Sequence, residues 1–118
     1  MNISIITFTE NGTKLAEKIR QAFVGTKTEE AKKLGLSLSD WTRQQFAEKN
    51  AIVVIGACGI AVRMIAPFVS DKLSDSPVVV ADEAGTFVIP LLSGHMGGAN
   101  GDIQIGFHYD IVSKTADS

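Results

Sequence analysis

The stretch DEAGTFVIPLLSGHMGGAN, Asp82 to Asn100, brings two adjacent carboxylates and a histidine into one short segment. Either kind of side chain can take a proton from water as a general base. Histidine is the natural choice near neutral pH. His95 lies among Gly94, Gly97 and Gly98, so backbone N–H groups there can approach an anion or a developing oxyanion. Ser93 and Asn100 flank the run and can hydrogen-bond a ligand or fix the imidazole tautomer. A loop histidine can also be merely solvent-exposed. Aspartate in a turn commonly binds local backbone N–H groups. That structural role is expected of one of Asp82 and Glu83, which leaves the other to act as base or to orient a cation.

A second bare-backbone stretch is IGACGIAVR. Gly56 and Gly59 flank Ala57 and Cys58 at a strand-to-helix junction, where a helix N-terminus can face a carboxylate or phosphate. The alternative is a tight turn that needs positive φ. The spacing is neither G-x-G-x-x-G nor a P-loop ending in G-K-[ST]. Arg63 follows Gly59 by four residues, about one helical turn. It can grip a carboxylate with two parallel bonds or stand as a solvated surface arginine. Cys58 reads as buried and inert, with activation at the helix start as the alternative. His108, between Phe107 and Tyr109, reads as structural or exposed. No metal-site spacing and no G-x-S-x-G elbow occurs.

The elements that must position these residues follow from periodicity. ISIITF (3–8) is a buried strand, and TKLAEKIRQAFV (13–24) an amphipathic helix with Asn11 or Thr13 as cap. Gly25 to Leu36 is polar, with Thr26 to Thr28 a candidate short strand. SLSDWTRQQFAEKN (37–50) is a helix, with Ser37 three residues before Asp40 as its capping signal. AIVVIG (51–56) is a strand, and CGIAVRMIAPFV (58–69) a helix that Pro67 bends or ends. PVVVA and TFVIP form a hairpin across DEAG, from Val78 to Ile89. SGHMGGAN is a loop and IQIGFHYDIV a last strand. The order β-α-(α)-β-α-β-β-loop-β predicts an α/β fold of three layers: a mixed, mainly parallel sheet with helices on both faces. Ligands in such folds sit beyond the carboxyl ends of the strands. Because GACG and SGHMGGAN each follow a strand, they are expected to share that edge.

Composition sets the frame. The 118 residues suit one domain, 45% hydrophobic and 20% charged, with a formal net charge of −2. No basic field draws nucleic acid, and no apolar run is long enough to span a membrane. One cysteine and a start without a signal-like segment point to a cytoplasmic protein.

The strings IGACGIAVRMIAP and VVVADEAGTFVIPLLSGHMGGAN resemble the N-terminal region of the CbiG family of cobalamin biosynthesis. SLSDWTRQQF is similar to that family as well. The resemblance is specific from Ala51 to Asn100 and looser from Met1 to Asn50. It implies a single CbiG N-terminal-like domain over residues 1–118, without the family's C-terminal domain. It implies cobalt-precorrin-5A hydrolase activity: water opens the δ-lactone of a cobalt corrinoid and a two-carbon fragment leaves as acetaldehyde. The cobalt belongs to the substrate, so no separate protein cofactor is expected. His95, Glu83 and Asp82 become the catalytic candidates. Gly56, Gly59, Arg63, Ser93, Gly94, Gly97, Gly98 and Asn100 become the substrate-binding ones. In relatives GGAN leads into a helix, whereas GDIQIGFHYDIVSKTADS does not read as one. A non-catalytic corrinoid-binding or assembly module, completed by the family's C-terminal domain or another chain, is the second reading. A small α/β protein for an unrelated anion is the third. Neither nucleic acid nor membrane is an expected partner; an exposed apolar edge strand would favour a homo-oligomer.

Overall fold

The computed structural model of the chain describes residues 2–70 and 75–92. The elements run β1 (Ile3–Thr7), α1 (Glu10–Ala22), β2 (Thr26–Glu30), a 3-10 turn (Ala31–Lys33), α2 (Leu38–Ala47), β3 (Ala51–Ile55), α3 (Cys58–Ile65), a second 3-10 turn (Ala66–Phe68), β4 (Val78–Ala81) and β5 (Val88–Leu92). The sheet order is β2-β1-β3-β4-β5. The first four strands are mutually parallel, and β5 is antiparallel to β4. The polar stretch after Gly25 therefore extends the sheet by a full edge strand, Thr26–Glu30, longer than the three residues expected there.

Alternation along the central strands explains the three layers. Ile3, Ile5, Val53, Ile55, Val79 and Ala81 face α1, whose Leu15, Ala16 and Ile19 cover them. Ile6, Ile52, Val54, Val78 and Val80 face the other way, against Trp41 of α2 and Ala61, Met64 and Ile65 of α3. All five residues of β1 and of β3 are buried, as strands covered on both faces must be. Each fully buried Ile or Val is worth about 1.5–3 kcal/mol. The β2 edge is different: Lys27 and Glu29 are exposed, and charge on an edge discourages pairing with another chain.

Caps set the helix ends. Thr9, not Asn11 or Thr13, caps α1; its hydroxyl accepts from Gly12 N at 2.9 Å. Ser37 caps α2 as expected, accepting from Asp40 N at 3.0 Å. α2 ends in a Schellman motif: Lys49 N donates to Phe46 O, Asn50 N to Gln45 O, and Lys49 sits at φ 57°. α3 stops before Pro67, which lies in the second 3-10 turn. A buried polar cluster fastens α2 to the sheet. Gln45 Oε1 accepts from Ser4 Oγ at 2.6 Å and from Asn50 Nδ2 at 2.8 Å.

The hairpin is present, with β5 beginning at Val88 and running to Leu92. Its direction overturns one expectation. Ala81 pairs with Val88 and Val78 with Leu92, so the chain leaves β5 beside the amino ends of the parallel strands. GACG leaves β3 at their carboxyl ends. Leu92, the last residue of β5, and Gly56 thus lie at opposite edges, because a hairpin reverses the chain. The loop SGHMGGAN itself and the expected last strand lie outside the described residues.

Candidate functional site

Thr7, Ile55 and Ala81 are level in the register, so β1, β3 and β4 end on one edge. From that edge β1 feeds α1 on one face of the sheet, and β3 feeds α3 on the other. Such a divergence leaves a crevice between the two turns, the topological switch point. Phe8 and Thr9 follow β1 there, Gly56 to Cys58 follow β3, and Asp82 and Glu83 follow β4.

The two carboxylates divide as their turn dictates. Asp82 Oδ1 accepts from Phe87 N at 2.8 Å, and Asp82 N donates to Phe87 O at 3.2 Å. Gly85 N bonds Asp82 O at 3.0 Å, and Gly85 supplies the left-handed residue of the turn at φ 73°. Asp82 is therefore engaged in the hairpin. Glu83 is exposed and accepts a hydrogen bond at Oε2 from Thr9 Oγ1, seventy-four residues away in sequence. Thr9 thus joins the turn after β1 to the turn after β4, while its oxygen caps α1. Sequence reasoning missed Thr9. The available signal was a threonine just after a strand and before an acidic first turn, Glu10.

Gly56 and Gly59 do not have positive φ; among the described residues that conformation belongs to Gly25, Gly85 and Lys49. Close approach explains Gly56 instead. A Cβ there would lie 3.0 Å from Cδ2 of the Phe8 ring, and its N–H extends the β3–β4 ladder to Ala81 O at 2.9 Å. A Cβ on Gly59 would meet nothing within 4 Å. Gly59 is exposed in the first turn of α3, and no side chain caps that N-terminus, where the cap residue is Ala57. Bare N–H groups at such an end favour an anion.

Cys58 is exposed at the start of α3, not buried as expected, because the helix begins clear of the core. Arg63 lies one turn further along α3, in its last turn, exposed and without an ion-pair partner among the described residues. The structure therefore gathers Gly56, Gly59, Asp82 and Glu83 at the carboxyl edge and sets Arg63 about one helical pitch away. Ser93, Gly94, His95, Gly97, Gly98 and Asn100 lie outside the described residues. A different cleft, about 550 Å³, opens by the opposite edge among Asn2, Ser4, Lys27, Trp41, Gln45 and Asn50.

Fold and edge together define a doubly wound α/β domain whose chain diverges to opposite faces between β1 and β3. The family model described as Cobalamin synthesis G N-terminal matches residues 40–103, more than half of the chain, and the chain belongs to that family. It is 42% identical over 106 residues to a cobalt-precorrin-5A hydrolase of Salmonella typhimurium, covering 84% of this chain and 30% of that protein. It is 49% identical over 55 residues to a cobalt-precorrin-5A hydrolase of Priestia megaterium, covering 47% of this chain and 15% of that one. The fold is shared with the crystal structure of a cobalamin biosynthesis protein G homolog from Sulfolobus solfataricus. The TM-score is 0.62 at 21% identity, over 95% of this chain and 34% of that one. The chain spans less than a third of the length of the curated relatives it matches.

Proposed function

We propose that this chain is the corrinoid-binding, lactone-opening part of a cobalt-precorrin-5A hydrolase. The 42% identity to the Salmonella typhimurium hydrolase, extending over 84% of this chain, supports the reading most directly. The substrate is a cobalt corrinoid bearing a δ-lactone, and the cobalt is carried by the substrate. Water is the second reactant. A base takes a proton from the water as its oxygen attacks the lactone carbonyl. The acyl–oxygen bond breaks, leaving a carboxylate on the macrocycle and an alkoxide on the two-carbon fragment. The alkoxide then becomes the aldehyde carbonyl as the carbon–carbon bond to the macrocycle breaks; the macrocycle keeps that bond's electron pair and acetaldehyde departs.

Glu83 is the first candidate for the base. It is solvent-facing, and Thr9 orients it at the strand edge where a doubly wound fold presents ligands. His95 is the second candidate, with the N–H groups of Gly94, Gly97 and Gly98 as oxyanion donors and Ser93 and Asn100 as ligand contacts. Asp82 serves the turn. Gly56 and Gly59 offer bare backbone to the corrinoid's acid groups, and Arg63 a guanidinium.

The non-catalytic reading draws support from coverage, since two-thirds or more of each curated relative has no counterpart in this chain. In it, the chain binds corrinoid and a further domain or chain completes the reaction. Acetaldehyde release measured with the chain alone, and with the chain joined to the remainder of such a hydrolase, separates the two readings. Under the first, Glu83→Gln in the joined protein lowers release by about a hundredfold or more. Turnover near the wild-type rate would remove Glu83 from the role of base, and the same measurement on His95→Ala judges the second candidate.

A further inference from the structure

We propose that the cleft between α1 and the β4–β5 turn is a subsite for carboxylate groups, with Lys14 and Lys18 as its cationic wall. The identity of its physiological ligand rests on the corrinoid reading above. The cleft has a volume of about 260 Å³ and is lined by Asn11, Lys14, Leu15, Lys18, Glu83 and Ala84. It is thus the space onto which the candidate base opens. Its size falls below the roughly 300–1,000 Å³ of pockets that enclose a whole small molecule. It suits the side arms of a large ligand whose ring lies outside.

The charge arrangement favours acids. Lys14 and Lys18 are four residues apart on one helix, which places their Cβ atoms about 5–6 Å from each other. That separation suits two carboxylates on neighbouring arms. Both lysines are exposed, and neither forms an ion pair with any described residue. Glu17, the acid within a turn of both, is held by Arg20 through Nε at 2.9 and 3.0 Å and through Nη2. Glu83 is the carboxylate that lines the cleft, and Thr9 donates to it. Asn11 adds an amide donor, and the buried Leu15 an apolar floor. Together these features add a second place for the ligand's acid arms, on the α1 side of the edge, beside the one that Gly56, Gly59 and Arg63 offer on the α3 side.

The test uses the ¹⁵N-labelled chain and two probes: tricarballylate, and a cobalt(III) corrinoid with free peripheral carboxylates. The Lys14→Gln/Lys18→Gln double variant is compared with Lys27→Gln/Lys32→Gln, and melting curves confirm that both fold. Both probes are expected to shift amides of residues 11–18 and 83–84. The Lys14/Lys18 variant is expected to lose at least about tenfold in affinity for each, and the Lys27/Lys32 control little. If tricarballylate behaves so and the corrinoid fails to bind, the acid subsite stands and the corrinoid reading falls. If the corrinoid binds the Lys14/Lys18 variant as well as wild type, the subsite is wrong while the function survives. Absence of any lysine-dependent shift with either probe also overturns it.

Discussion

Thr9 does two jobs with one oxygen, and substitution can separate them. Thr9→Val removes both the cap and the donor and should lower stability by about 1 kcal/mol. Thr9→Asp retains a good cap but has no proton to give Glu83; Thr9→Asn retains both functions. In a full-length hydrolase carrying this domain, acetaldehyde release is expected to fall in Thr9→Asp and to persist in Thr9→Asn, with similar melting temperatures. Equal release by the two would mean that the contact with Glu83 is incidental. The nearby pair Glu17–Arg20 is of another kind. The Arg20 guanidinium, chiefly by hydrogen bonding, holds the Glu17 carboxyl below its ordinary range. A depressed folded-state value stabilises above the unfolded value and is lost as pH falls through the folded one. This pair lies at the surface, half exposed and screened, so Arg20→Ala should leave the acid side of a stability–pH curve nearly unchanged.

Elements were legible where local chemistry agreed with burial. Ala51–Ile55 is β-branched and closed by glycine, and the strand is as expected. Ser37 and Asp40 announced the start of α2. The edge strand Thr26–Glu30 was only half visible, because TKTEE carries charge for solvent and no apolar face for a core. Cys58 was misplaced for a related reason: residue type argues burial, but position at the outer start of α3 decides it. Two element-scale substitutions test the packing. Gln45→Leu leaves the Ser4 hydroxyl and the Asn50 amide without their shared acceptor, and denaturant unfolding should show a loss of about 2–4 kcal/mol. Lys49→Gly relieves a left-handed lysine at the end of α2 and should stabilise by about 0.5–1 kcal/mol in the same measurement.

Across the whole molecule, the three-layer α/β architecture followed from the sequence pattern, since fully apolar strands alternate with amphipathic helices. The direction of the last described strand is where that reading failed. A hairpin from Val78 and a glycine loop sharing an edge with GACG were both expected, yet antiparallel pairing sends Leu92 to the far edge. Thr9 had a local signal as a helix cap, but its contact with Glu83 could be seen only in three dimensions. What remains at the carboxyl edge is a compact set from three chain segments: Thr9, then Gly56 and Gly59, then Glu83, with the lysines of α1 beside them. No helix among the described residues is long and apolar enough to cross a membrane.

The most direct measurement is an amide-resolved titration of this chain with a diamagnetic cobalt(III) corrinoid bearing free carboxylates, followed in parallel by its visible spectrum. The predicted result is a saturable spectral change with shifts gathered at Thr9, Gly12, Gly56, Gly59 and Glu83. No spectral change, or shifts gathered instead at Asn2, Gly25 and Asn50 by the opposite edge, would contradict a corrinoid site at the switch point.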